Sequence, residues 1–576
     1  MKVKLARIAG FCMGVRRAME MVLTEANKGT GPLYTFGPLI HNHQVFDLLA
    51  SKGIRPVDDL NALKSGTIII RAHGIPPQDR RAIRETGLKI VDATCPKVAR
   101  VQAIIRYHTK KGSTAIIVGN KGHAEVVGLL GYSEGPAHVI QTVDDVSELP
   151  DLDQVFVVAQ TTQNEQNYLE VVNALKERFP ELQIFHTICD ATYHRQQEVR
   201  SFSGQVDATV VVGGFHSGNT LRLAQVSKAA KIPTFHIETE KDLDKTALSG
   251  MKVIGVTAGA STPNWMIKKV VSEIEGIKGR RDPPFYNGLK KGIKLLMAND
   301  VIVASGALCL AYAAAVLSEK PTGPIFPVLA FLYVYAMHVL NRFLDKGAGA
   351  YNDPERAAFL KKHRVLLIIT GIGAIAAALT LSCFVGLPTF VALCGLNILG
   401  IAYSLPLVPE SVRHKSTYYK IKDIPGSRSL SEALAWVAVI ILLPLLTLKH
   451  IDWPAIIVAG LAVFSMSYTR AILFDIFQVQ GDLIVGTETL PITLGERKTL
   501  TLVKLILIAT AFILVGSPIL GLVSPFSYLV LLPVLSLALC LLAYERRWLY
   551  PGATLEVLVE GNFFLAGFLA LIWQAF

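Results

Sequence analysis

Beyond residue 298 the chain carries nine apolar stretches, near 299–317, 324–340, 365–381, 385–403, 430–446, 454–469, 500–517, 526–543 and 559–575. No other feature restricts its fold as much. A helix needs about 20 apolar residues to cross a bilayer, and in lipid each backbone polar group must find its partner within the helix. Residues 295–576 are therefore predicted to form an all-α, polytopic membrane domain of about nine transmembrane helices. Residues 1–276 carry no such stretches and mix short apolar runs with charge. Between them, residues 277–294 are rich in Lys, Arg, Gly and Pro and read as a basic linker, either lying on an anionic inner leaflet or plainly solvated.

Charge orients the membrane half. Lys and Arg crowd the loops 341–364, 404–429, 470–499 and 544–558, whereas the opposite loops carry only Lys320 and Lys449. By the positive-inside rule the first set faces the cytoplasm, and the first half with it. The expected location is the cell inner membrane, multi-pass, in contact with membrane lipids. The start, Met1 to Arg7, shows no apolar core and no cleavage site, so no signal peptide is expected. A net charge of +12 suggests nucleic acid, but basic membrane-flanking loops account for much of it and no nucleic-acid module is present.

Seven cysteines at irregular spacing do not make an extracellular disulfide framework. Cys309, Cys383, Cys394 and Cys540 fall in or beside the apolar stretches and read as small apolar fillers. Cys12, Cys95 and Cys189 share another pattern: each follows a strand-like run and precedes a helical one. Asp92-Ala93-Thr94-Cys95-Pro96 shows it best, with Pro96 at the expected first helical position. A helix N-terminus beside a thiol favours the thiolate. Three such turns predict three thiolates converging on one metal centre from three α/β units. From these residues alone, an Fe–S cluster and a Cys₃ zinc site that activates water are both open.

Other strand ends carry polar groups. His41, His73 and His123 each follow a predicted strand, as do Gln160-Thr161-Thr162, Ser217-Gly218-Asn219 and Gly259-Ala260-Ser261. Ligands bind at the carboxyl ends of parallel strands, and turns of this composition cradle phosphate.

Taken in order, several segments resemble the 4-hydroxy-3-methylbut-2-enyl diphosphate reductase family, also called LytB or IspH. They are Gly10-Phe11-Cys12-x-Gly14-Val15-x-Arg17-Ala18, Gly37-Pro38-Leu39-Ile40-His41-Asn42, Arg71-Ala72-His73-Gly74, Asp92-Ala93-Thr94-Cys95-Pro96, Gln160-Thr161-Thr162, Thr187-Ile188-Cys189-x-Ala191-Thr192 and Thr257-Ala258-Gly259-Ala260-Ser261. The resemblance implies a three-lobed α/β iron–sulfur domain over residues 1–276. It implies a [4Fe-4S] cluster on Cys12, Cys95 and Cys189. The implied reaction is reductive removal of a hydroxyl, giving isopentenyl and dimethylallyl diphosphate in the last step of the non-mevalonate isoprenoid pathway. His41, His73, His123, Ser217, Asn219 and Ser261 would bind the diphosphate. Thr161 would sit near the hydroxyl and Glu125 would deliver protons. A ferredoxin- or flavodoxin-type protein would donate electrons. Gly218 stands where the family has a second serine, with its N–H still available, and Ala124 replaces a common proline.

The membrane half resembles the UbiA family of intramembrane aromatic prenyltransferases. The resemblance rests on Asn341-x₃-Asp345, Ala402-Tyr403-Ser404-x-Pro406-Leu407, Lys422-Asp423-Ile424-Pro425-Gly426 and the segment from Asp475 to Pro491, which includes Asp482. It implies that Asn341, Asp345, Asp475 and Asp482 carry Mg²⁺ and a long prenyl diphosphate, with transfer to an acceptor. Gly349, Gln478 and Gln480 stand where the fuller pattern has acids. The alternative is a membrane anchor or prenyl-lipid binder without transferase activity.

Overall fold

Three four-stranded sheets build the first unit, Met1–Arg281, of this computed structural model. One runs Ile54–Val57, Leu33–Phe36, Thr67–Ile70, Lys89–Asp92 across the sheet. The next runs Ala137–Ile140, Thr114–Val118, Val155–Ala159, Gln183–Ile184. The last runs Thr234–Ile237, Ala208–Val212, Val253–Ala258, Lys2–Leu5. Every neighbouring pair is parallel. Central strands such as Thr114–Val118, Val155–Ala159 and Ala208–Val212 are buried along their whole length, as expected where helices cover both faces of a sheet.

The three sheets share one topology. In chain order, the first two place their second strand at an edge, then the first, the third and the fourth. The last sheet matches this order when the N-terminal strand Lys2–Leu5 takes the fourth place. The chain thus folds one α/β unit three times and closes the last copy with its own beginning.

The structure describes residues 2–29, 31–40, 42–60, 63, 65–277, 288, 292–293, 295–320, 323–343, 349–405, 421, 424, 426–487, 489–546, 548–549 and 551–576. The predicted linker 277–294 lies almost wholly outside them, as do His41 and Asp345.

The second unit, Asp282–Phe576, is helical. An apolar helix occurs at each of the nine predicted stretches. Seven, counted among the described residues, are long and apolar enough to cross a membrane. Two, Val301–Leu317 and Leu387–Ala402, are shorter apolar helices, below the length that about 20 residues would supply. One expectation is corrected. Residues 470–499 were predicted as a loop carrying Asp475 and Asp482, but the helix Trp453–Val485 runs on for 33 residues and contains both. Nothing in 470–480 breaks a helix, and the turn ends only where Gly486 takes a left-handed conformation at φ 75°.

Candidate functional site: three cysteine turns and a buried carboxyl

In each sheet the fourth strand leads to a cysteine. Lys2–Leu5 precedes Cys12, Lys89–Asp92 precedes Cys95, and Gln183–Ile184 precedes Cys189. All three are N-cap residues with extended backbone, of helices Met13–Lys28, Pro96–Lys110 and Asp190–Ser201. Each cysteine N–H donates to a carbonyl in the turn after its sheet's third strand: Cys12 to Ala260 at 3.2 Å, Cys95 to Ala72 at 2.9 Å, Cys189 to Thr161 at 2.9 Å. Those turns carry Ser261, His73 and Thr161. The turns after the first strands carry Ser217 with Asn219, Asn42, and His123 with Glu125. First and third strands lie side by side in every sheet, and the crevice between such strand ends is where open parallel sheets bind ligands.

Three cationic ties link the cysteine turns in a ring. Arg17 donates to Thr94 O at 3.0 Å, joining the Cys12 helix to the Cys95 turn. Lys97 pairs with Asp190 at 2.8 Å, joining the Cys95 and Cys189 helices. Arg195, buried at 2% exposure, donates to Gly10 O and returns the Cys189 helix to the Cys12 turn. Gly14 is required by close approach: a Cβ there would lie 2.5 Å from Cys95 Sγ and 4.0 Å from Cys12 Sγ.

The thiol expectation needs correcting for the protein without its metal. Burial pushes the Cys95 and Cys189 thiols up; N–H groups of Lys97 and Val98, and of Ala191 and Thr192, act the other way, while the neighbouring thiols add to the rise. Helix N-termini alone do not offset desolvation and mutual repulsion. Three soft sulfur donors at the mouth of three helices, with a glycine keeping the space clear, fit a thiolate-held metal group whose positive charge stabilises the thiolates. Among the described residues no three His, Cys, Asp or Glu side chains close around a single-ion position.

Glu125 is 1% exposed. The Thr161 N–H donates to its Oε1 at 2.7 Å, and the Thr161 hydroxyl to its Oε2 at 2.9 Å. Burial raises its pKa, against those two bonds and the charge of Arg222. A carboxyl so raised keeps its proton to higher pH than a free one. His123 caps the helix Ala124–Leu130, accepting the Glu125 N–H at Nδ1 (3.1 Å), and its ring lies edge-on to His73 with centroids 5.8 Å apart. A Cβ at Gly218 would stand 3.5 Å from His123 Nε2, so turns from all three sheets meet here. The Ser261 hydroxyl donates to Ser217 Oγ at 3.3 Å. Asn219 is 5% exposed, and among the described residues neither of its amide atoms has a hydrogen-bond partner. A buried polar group left so costs roughly 1–3 kcal/mol, and it suits a polar ligand.

The structure therefore gathers His73, His123, Glu125, Thr161, Ser217, Gly218, Asn219 and Ser261 beside Cys12, Cys95 and Cys189. Residues 3–275 match the LytB protein family, and residues 301–568 match the UbiA prenyltransferase family. The chain is 42% identical over 277 residues to 4-hydroxy-3-methylbut-2-enyl diphosphate reductase of Geotalea uraniireducens (strain Rf4), covering 48% of this chain and 98% of that protein. The chain belongs to the LytB family. The reductase of Aquifex aeolicus (strain VF5) is 41% identical over 276 residues, covering 47% of this chain and 96% of that protein. Among solved structures, the E-1-hydroxy-2-methyl-but-2-enyl-4-diphosphate reductase from Plasmodium falciparum is 32% identical at TM-score 0.47, covering 49% of this chain and 89% of that one. A UbiA homolog from Archaeoglobus fulgidus bound to GPP and Mg2+ is 14% identical at TM-score 0.37, covering 48% and 98%.

Outside the LytB unit, the UbiA-like unit has its own polar cluster. Asp475 and Asp482 are buried on the helix Trp453–Val485. Arg428 lies between them, 3.7 Å from Asp475 Oδ1 and 3.6 Å from Asp482 Oδ1, and Ser429 donates its hydroxyl to Asp475 Oδ2. Asn341 Oδ1 is buried and has no hydrogen-bond partner among the described residues. Sequence reading passed over a further network: Arg470 between Glu432 and Glu560, and Asp300 holding Arg342 and Arg356 at 2.6–2.8 Å. Its signal was present as charges within or beside apolar stretches, where each must find a partner. The contacts of Arg17, Lys97, Arg195 and Arg222 were likewise missed, because their partners are remote in sequence.

Proposed function

We propose that residues 1–276 are a 4-hydroxy-3-methylbut-2-enyl diphosphate reductase that yields isopentenyl and dimethylallyl diphosphate. Two electrons and two protons enter, and the hydroxyl leaves as water. The observation that carries this reading is the hydrogen bond from each cysteine turn to a turn bearing Ser261, His73 or Thr161. It supports a reading in which three cysteine side chains face groups suited to bind an anion and to pass a proton.

Cys12, Cys95 and Cys189 would hold a [4Fe-4S] cluster. Bound there, with three thiolates for four irons, it offers electrons and one Lewis-acidic iron. Ser217, Asn219, Ser261, His73 and His123, with the Gly218 N–H and His41, take the diphosphate. Thr161 orients the substrate hydroxyl, and Glu125 hands protons on through it. Electrons come from a ferredoxin- or flavodoxin-type donor. The test is the anaerobically purified full chain given the C5 hydroxy-diphosphate and a chemical reductant. Both five-carbon products are expected; a brown protein that makes neither overturns the reading.

For residues 295–576 we infer a multi-pass domain of the inner membrane, with the reductase on the cytoplasmic side. The pairing of Asp475 and Asp482 around one guanidinium marks a place where carboxylates already share a cation. Oxygen donors of this kind fit Mg²⁺, with Arg428 giving way. With Asn341 and Asp345 they would hold the diphosphate of a long prenyl donor for transfer to an acceptor. Asp475→Ala should abolish Mg²⁺-dependent binding of a long prenyl diphosphate and leave reductase turnover unchanged. Binding that ignores both Mg²⁺ and this substitution favours a membrane anchor or prenyl-lipid binder.

A further inference from the structure

The helix Gly218–Ala229 begins at Ser217 and Asn219 and carries Arg222 one turn further on. Arg222 is 9% exposed. It reaches out of its own sheet's layer into the neighbouring one, to both turns that frame Glu125. Nη2 donates to Asn120 Oδ1 at 3.0 Å, in the turn before His123 and Glu125. Nη1 donates to Gln163 Oε1, in the turn after Thr161. The contacts continue inward. The Asn120 N–H donates to Gln160 Oε1 at 3.1 Å, Gln160 Nε2 donates to Thr162 Oγ1 at 3.0 Å, and Gln196 Nε2 donates to Gln163 O at 3.1 Å. Gln160, Gln163 and Gln196 are each at most 1% exposed. These amides carry no charge; Arg222 brings a guanidinium to this network and Glu125 is the titratable carboxyl beside it, and each shifts the other's proton affinity.

We propose that Arg222 is a positioning residue that couples diphosphate capture at Ser217 and Asn219 to proton delivery from Glu125, by clamping their helix to the turns 119–123 and 160–163. A planar fork with fixed donors can hold two acceptors in one register, which a flexible ammonium cannot. Movement of the helix N-terminus onto an anion is thereby passed to both turns that set the Glu125 carboxyl. The proposal rests on the reductase reading.

The test is a double-mutant cycle on the full-length, cluster-loaded chain, with Arg222→Gln, Glu125→Gln and the pair. Arg222→Gln alone should lower kcat by about tenfold or more, while in the Glu125→Gln background it should cost less than about threefold, because residues acting through one step are not additive. Inorganic diphosphate, measured by calorimetry, should bind Arg222→Gln within about threefold of the unmodified protein, so the loss sits in turnover rather than capture. Equal factors in both backgrounds, or a parallel loss of diphosphate binding, would mean a merely structural residue and overturn the proposal. If Arg222→Gln does not fold, Arg222→Lys replaces it in the same cycle with the same criteria. An unmodified holoprotein inactive on the C5 substrate overturns the reductase reading and the proposal with it; additivity in an active enzyme overturns the proposal alone.

Discussion

Cys95→Ser is expected to give a folded, colourless chain with no reductase turnover. The fold should persist because Cys95 is an N-cap residue whose side chain makes no capping bond, and serine is among the best N-caps. Its N–H bond to Ala72 O is a main-chain contact and stays. What is lost is a soft donor facing Gly14 and Cys12, at a spot a hydroxyl cannot fill as a thiolate does. Iron content and visible absorption under anaerobic conditions measure the first effect, turnover the second, and circular dichroism guards the fold. A serine variant that keeps its full iron and its turnover would remove Cys95 from the ligand set.

Glu125→Gln should separate chemistry from binding. The amide is nearly isosteric, its oxygen can still accept the Thr161 N–H, and the Thr161 hydroxyl can turn to accept from the new NH₂. The substitution alters neither Cys12, Cys95 and Cys189 nor the side chains proposed to take the diphosphate. Lost is a carboxyl whose proton affinity burial raises, and which a substrate anion beside it would raise further. Turnover should fall by on the order of 10²-fold or more, with the visible spectrum and diphosphate binding unchanged. Near-normal turnover would sink the assignment of Glu125 as proton donor.

Local pattern and tertiary arrangement divide cleanly in this protein. The apolar helices were legible, seven of them among the described residues long enough to cross a membrane, because lipid imposes a length and a composition on a span. Three cysteine turns were legible because strand, turn and helix are short-range patterns, and Pro96 marks a helix start by its own ring geometry. The same local reading misjudged Asp475 and Asp482, since hydropathy ends at the last apolar run whereas a helix ends at a breaker, here Gly486. It also left out that, without a metal, burial set by neighbours distant in sequence pushes the Cys95 and Cys189 thiols up against the pull of the helix terminus.

Sequence by itself determined which residue types stand at which strand ends, and the division into a mixed α/β half and a lipid-facing half. Only the tertiary structure decided that the N-terminal strand completes the last of three equivalent sheets, and so turns Cys12 toward Cys95 and Cys189. The ring of Arg17, Lys97 and Arg195, and the clamp of Arg222, join residues from 59 to 185 positions apart where partners are far in the chain. Hydrogen bonds and ion pairs act over a few ångströms of space, and their partners leave no periodic trace along a chain.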